Sequence, residues 1–273
     1  MTPDNAATVY LHGQPGSSAE LALFGLNYVV DYAPGRHDVL LGYPVQLAKD
    51  VTRALPHRSL HLVGFSLGAF AALRLAALLG DKVTRIDLIS PAAPLDGGDF
   101  LPNMAGRAVF TLARDWPHLF WLMTWVQSGM TKIAPKTLFW QVFADAAGED
   151  RALAADPVFK ARWQDMARAS LSCGAPSYRA EIAAYVSPWA YILPQILCPV
   201  TIWHGESDNW APPAMADYLA LSLPNVAGVH RFAGLSHYSA LKAALPHILS
   251  YSPGDAADPA SKPPSILNSD PVT

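Results

Sequence analysis

The chain has 273 residues, 51% of them apolar and 15% charged, with a net charge of −3 at pH 7. That balance excludes a mainly disordered chain and supports one large buried core. No Lys/Arg cluster forms a basic face, so a nucleic-acid partner is not expected. Two cysteines, Cys173 and Cys198, are too few for a disulfide framework and match no metal-ligand spacing. They are expected as buried thiols in a reducing, cytoplasmic compartment. The start, Met1 to Asn5, lacks the basic and apolar regions of a signal peptide. Residues 108–130 are the most apolar stretch, but Arg114, Asp115, Pro117 and His118 interrupt it, so no membrane span is expected.

In chain order, residues 6–11 read as a buried strand running into the turn-rich His12-Gly13-Gln14-Pro15-Gly16. Ser17 and Ser18 offer a cap for a short helix over 19–24. A second strand covers 27–31 and ends at Ala33-Pro34-Gly35. Residues 44–54 are amphipathic, with Val45, Leu47, Ala48 and Val51 on one side, and Pro56 stops them. A third strand covers 60–65, a strong Ala/Leu helix covers 67–79, and Gly80 closes it. A fourth strand spans 83–90. This alternation predicts an α/β fold with a doubly wound, mostly parallel sheet and right-handed crossovers.

The rhythm then breaks. Residues 95–194 show helical periodicity and no confident strand, and they hold six of the eight tryptophans: Trp116, Trp121, Trp125, Trp140, Trp163 and Trp189. Strand and helix resume at 198–203, 213–222, 226–232 and 239–249. The expected organisation is a core from 1–94 and 195–251 with a helical insertion at 95–194. The tail, 252–273, is rich in Pro, Ser and Asp and is expected to be disordered.

The sharpest motif is Gly64-Phe65-Ser66-Leu67-Gly68, between a predicted strand and a predicted helix. A nucleophile on so tight a turn needs glycine at both flanks, and the turn aims the Ser66 hydroxyl outward at a helix N-terminus. Serine needs a base. His237 follows Gly234-Leu235-Ser236, between the last strand and the last helix, at the same sheet edge as Ser66. An imidazole needs an orienting carboxylate. The run from Trp203 through Pro212 offers Glu206 and Asp208, and Asp208 is the better placed, three residues past Gly205. The N–H groups of Leu67 and Gln14 are candidates for an oxyanion hole. His204, Glu206 and Asp208 alternate along an extended chain end, so no metal site is expected, and no cofactor motif is read.

With these motifs in this order, the chain resembles the lid-bearing, single-domain α/β-hydrolases, a family of esterases, lactonases, proline iminopeptidases and carbon–carbon bond hydrolases. The resemblance rests on His12 to Gly16, Gly64 to Gly68, His204 to Asp208 with Pro212, and Gly234 to His237. Pro188-Trp189 adds to it. It implies a catalytic triad of Ser66, Asp208 and His237, an oxyanion hole at Gln14 and Leu67, and a lid at 95–194. The family usually has two further strands before the histidine–glycine loop, so about six strands are expected here, with 27–31 near an edge. The family's Asp-x-Pro-Gly-x-Gly turn lacks its second glycine in the run Asp31 to His37. Serine at the elbow excludes haloalkane dehalogenase and soluble epoxide hydrolase chemistry, which in this family uses aspartate there.

The expectation is a serine hydrolase that cleaves an ester or other acyl bond of a small, mostly apolar substrate. A carbon–carbon hydrolase, an amidase or peptidase, and an acyltransferase would share the triad. A non-catalytic ligand-binding member of the fold would have no need of all three residues. Trp116, Trp121 and Trp125 lie close to i, i+4 spacing. That stripe is expected to face the sheet above Ser66, with Trp121 touching substrate.

Overall fold

In this computed structural model, which describes residues 6–35, 44–171, 175–252 and 267–268, the short apolar runs become parallel strands. They are β1 (Ala7–Leu11), β3 (Leu60–Phe65), β4 (Val83–Ile89), β5 (Val200–Gly205) and β6 (Val226–Phe232). The sheet runs β1-β3-β4-β5-β6, and β8 (Leu267–Asn268) adds an antiparallel edge to β6. β3 is buried at every position. A strand covered on both faces reads as a near-continuous apolar run, which its sequence shows apart from His61, whose Nε2 lies 2.7 Å from Asp87 Oδ2.

Side chains alternate between two cores, one on each face of the sheet. Val9 and Leu11 of β1 join the first, with Leu47 and Val51 of α1 (Val45–Ala54) and Phe70 and Leu73 of α2 (Leu67–Leu79). Tyr10, Val63, Phe65 and Trp203 join the second, with Leu241 and Leu245 of α10 (His237–Ile248). α9 (Pro213–Ser222) buries Met215 and Leu219 in the first core.

Among the described residues six α-helices stand between β4 and β5: α3 (Arg107–Asp115), α4 (Pro117–Ile133), α5 (Pro135–Val142), α6 (Asp150–Ala155), α7 (Pro157–Ser170) and α8 (Pro176–Val186). Their aromatics enter the cores of the sheet. Tyr185 and Trp189 pack on Phe70 in the first core. Phe143 and Trp163 pack in the second, and the Trp163 indole N–H donates to the Tyr238 hydroxyl at 2.9 Å.

Several expectations change in detail. Only Asn27–Tyr28 of the 27–31 run is a strand, β2, and it pairs antiparallel with β7 (Tyr251–Ser252) outside the main sheet. Tyr32 meets β1 through a single bridge to Val9. The reason lies in Asp31, whose side chain accepts the Thr8 N–H at 2.8 Å, so a carboxylate stands where a ladder carbonyl would be. β5 begins at Val200 because Pro199 has no N–H to donate. Cys198 is half-buried rather than buried. Arg36, His37 and Cys173 lie outside the described residues, as does the tail apart from Ser252 and β8.

Candidate active site

The turn from β3 into α2 is held by close backbone approach. A Cβ on Gly64 would stand 2.5 Å from the Gly68 carbonyl oxygen, and one on Gly68 would stand 1.9 Å from that of Leu11. Neither position has room for a side chain. Ser66, between them, sits at φ 56°, ψ −121°. For a non-glycine residue that region costs about 1–3 kcal/mol. Its N–H donates to Ile89 O at 3.0 Å, and its carbonyl accepts the N–H groups of Ala69 and Ala92. The strained backbone is therefore fixed from β4, and Ser66 remains part-exposed. Leu67 is the first residue of α2, so its N–H has no partner within the helix.

Parallel strands bring three other loops to this edge. Gly205, at the end of β5, approaches the loop after β6 so closely that a Cβ would lie 2.5 Å from Leu235 O. The Ser207 N–H donates to that carbonyl at 2.9 Å. Asp208 and His237 meet where the two loops are tied, with Nδ1 2.8 Å from Oδ2. The other carboxylate oxygen accepts the N–H groups of Trp210 and Ala211 at 2.8 and 3.0 Å. Both side chains are buried. The Phe65 ring, next to Ser66, packs on the imidazole with centroids 4.7 Å apart.

Burial pushes the Asp208 carboxyl up, yet the positive charge and hydrogen bond of His237, with the Ala211 N–H, hold it below the usual carboxylate range. Burial likewise pushes His237 down. The Asp208 charge and hydrogen bond, with Asp150 and Glu20 further off, carry it above the ordinary imidazole value. Asp208 is thus an anion facing Nδ1–H, which leaves Nε2 as the basic nitrogen. His204 differs. Burial lowers its pKa, and its Nε2 lies 3.0 Å from the Ala211 carbonyl, an acceptor only, so Nε2 carries the proton of a neutral ring.

The loop after β1 completes the edge. A Cβ on Gly13 would lie 3.0 Å from the Phe65 ring and 3.2 Å from Ser66 Cβ. The Gly13 N–H is taken by the Glu20 carboxylate at 3.0 and 3.1 Å.

A scan against protein families matches residues 8–245 to the alpha/beta hydrolase family. The chain belongs to that family. Solved structures agree on the fold. An esterase from Exiguobacterium antarcticum superposes with a TM-score of 0.51 at 19% identity, over 85% of this chain and 86% of its own. A bromoperoxidase from Bacillus anthracis gives 0.56 at 18%, over 87% and 88%. A hydrolase from Oleispira antarctica gives 0.56 at 16%, over 88% and 86%. No curated protein matches the chain in sequence.

In this α/β-hydrolase, Ser66, Asp208, His237, Gln14 and Leu67 all stand at one edge of the sheet. Glu206, the other acid of the β5 loop, is exposed, whereas Asp208 and His204 are buried, so the three side chains do not converge. Trp121 is 52% exposed, with Trp116 and Trp125 at 63% and 61%, while Phe120, Thr124, Ser128 and Thr131 of α4 are buried. The tryptophans stand away from the packed side of α4, which lies against α3, α5 and α7. Periodicity marks a stripe but carries no sign for in or out.

The buried carboxylates Glu20 and Asp150 are among those that escape the sequence reading. Glu20 also accepts the Tyr10 hydroxyl at 2.9 Å, bracing the β1 loop from below. Asp150, the first residue of α6, accepts the N–H groups of Tyr238 and Ser239 at 3.0 and 2.7 Å and the Ser239 hydroxyl at 2.6 Å. It holds the first turn of α10 directly behind His237, beside the Ser236 N–H that donates to Ser239 Oγ at 2.7 Å, and the helix starts at His237, two residues before the expected 239. Burial pushes the Asp150 carboxyl up, against the pull of those three donors. An acidic residue in an Asp-rich loop gives no local signal for this, because its partners are 88 and 89 residues away.

Proposed function

We propose that the chain is a serine hydrolase cleaving an ester or other acyl bond of a small, mostly apolar substrate through an acyl-enzyme. The observation that carries this reading is the buried Asp208–His237 pair at the sheet edge where Ser66 occupies a strained strand-to-helix turn. In the proposed mechanism His237 Nε2 takes the Ser66 hydroxyl proton as Oγ attacks the acyl carbon. Asp208 stabilises the imidazolium that forms. The Leu67 and Gln14 N–H groups receive the oxyanion. The intermediate collapses, His237 gives its proton to the leaving group, and an ester remains on Ser66. Water, deprotonated by the same nitrogen, then releases the acid and restores the serine.

Residues 95–194 serve as the lid in this reading. Supporting contacts tie them to both sides of the site. The Gln14 side-chain amide donates to Glu181 of α8 at 2.5 Å, and the Gly16 N–H donates to Ser170 of α7 at 3.0 Å. Across the site, the Glu149 N–H donates to Gly234 O at 3.1 Å. The reading puts the enzyme in the reducing cytoplasm, since two cysteines cannot build a disulfide framework.

A fluorophosphonate probe tests the chemistry. Labelling is expected on Ser66 and is lost in Ser66→Ala. Labelling elsewhere, or none on folded protein, rejects the nucleophile. A hydrolysis screen over esters, lactones, amides and diketones then identifies the scissile bond, with esters expected to turn over.

A further inference from the structure

Helix α4 is packed inside out. At 3.6 residues per turn, Leu119, Trp121, Leu122, Trp125, Val126 and Ile133 fall on one arc of about 160°. Each is at least half exposed, from 50% for Val126 to 88% for Ile133. The opposite arc, Phe120, Thr124, Ser128 and Thr131, is buried. Its small side chains let the helix lie close on its neighbours. The hydroxyls of Thr124 and Thr131 donate to Trp121 O and Ser128 O, both at 2.8 Å, so they satisfy themselves within the helix. Polar atoms are therefore not driving the apolar side chains out; the sequence presents them.

The size of this face is unusual for a lone soluble chain. Each half-exposed indole leaves roughly 100 Å² in water. Trp121 and Trp125 with the four aliphatic side chains exceed the few hundred Å² of ordinary surface patches.

Charge identifies the occupant. Residues 107–140 hold Arg107, Arg114, Lys132 and Lys136 against the single acid Asp115, a net +3 in a chain whose total is −3. All four cations are exposed, and Asp115 is already paired with Arg114 at 2.8 Å. Lys132 falls within the apolar arc itself, and the Arg179 guanidinium lies 5.6 Å from the Trp121 ring. A second copy of the chain fits poorly, because an isologous contact would set these like charges against each other. Indoles at a water–hydrocarbon boundary, flanked by Lys and Arg, match an anionic bilayer. At 17 residues α4 is about 25 Å long and can lie in the plane of such a surface. Among the described residues no helix is long and apolar enough to cross a membrane. We propose that the outward face of α4, from Leu119 to Ile133, docks this protein on an anionic lipid surface.

The test is sedimentation of the full chain with vesicles of mixed phosphatidylcholine and phosphatidylglycerol, beside vesicles of phosphatidylcholine alone. The wild type is expected to bind the anionic vesicles, to release in high salt and to shift its tryptophan emission to the blue. Trp125→Glu with Ile133→Glu should lower partitioning at least tenfold at an unchanged melting temperature. Lys132→Gln and Lys136→Gln should each lower it about fivefold at low salt. Absence of wild-type binding, or equal binding to both vesicle types, overturns the proposal. So does a dimer in light scattering that Trp125→Glu with Ile133→Glu dissociates, because the face then belongs to a second copy. If that double variant fails to fold, quenching of wild-type emission by brominated anionic lipid decides: quenching supports the docking and its absence overturns it.

Discussion

Helix α2 buries Phe70, Leu73 and Leu75 completely, whereas α4 leaves Trp121, Leu122 and Trp125 more than half exposed. Composition does not separate them. Each carries one charged residue, Arg74 in α2 and Lys132 in α4. Surroundings do. α2 lies against α1 and strands β1, β3 and β4, while α4 lies against α3, α5 and α7. A helix packed on most sides is apolar nearly all round, and α2 is rich in Ala and Leu, with Arg74 and Leu78 on its open side. A peripheral helix is free to choose which arc it buries, and α4 buries its hydroxyls. The comparison teaches that greasiness alone does not locate a side chain. Glycines that touch backbone, as Gly64 and Gly68 do at the start of α2, constrain a site far more tightly.

The hardest test of the α2 side is the residue that precedes it. Ser66→Ala should lower kcat by about 10⁶ while leaving the melting temperature near wild type, the loss expected for the nucleophile of such a triad. Residual activity near wild type in purified protein would move the chemistry elsewhere.

Asp208→Asn should cost about 10⁴ in kcat, since the amide stabilises no imidazolium and selects the wrong tautomer. Glu206→Gln, at an exposed position, should leave kcat/KM unchanged. The reverse order of effects would mean that the other acid of the β5 loop does the work.

The pH profile follows from the same pair. His237 acts as a base only when neutral, and Asp208 raises its pKa. Activity should therefore fall as pH drops, with a midpoint above the ordinary imidazole value of about 6.5 and about a tenfold loss per pH unit below it. In Asp208→Asn the residual activity should show a lower midpoint. A wild-type midpoint below the ordinary value would contradict the pairing.

The smallest effect sharpens the contrast between the helices. Leu73→Ala, in α2, should destabilise by about 2–5 kcal/mol in denaturant unfolding. Leu122→Ala, on the outward arc of α4, should stay within about 0.5 kcal/mol. Similar losses at both positions would mean that α4 is enclosed after all.

Much of the fold was legible because its signals are local. Strands 60–65 and 226–232 and helices 67–79 and 213–222 occur where their periodicity and stops place them. Ser66 was legible because a strand, two glycines and a helix in a row permit one kind of turn. The meeting of Asp208 with His237 at the edge of Ser66 follows from the same logic, because parallel strands send the loops that follow them to one edge. What the tertiary structure alone decided depends on distant partners. Asp31 turns the 27–31 run off the sheet by taking the Thr8 N–H. Asp150, from the inserted helices, takes the Tyr238 and Ser239 N–H groups in the first turn of α10. The direction of the tryptophan stripe on α4 is of the same kind. A hydrophobic period records which residues share a face, and only the neighbours determine whether that face is covered.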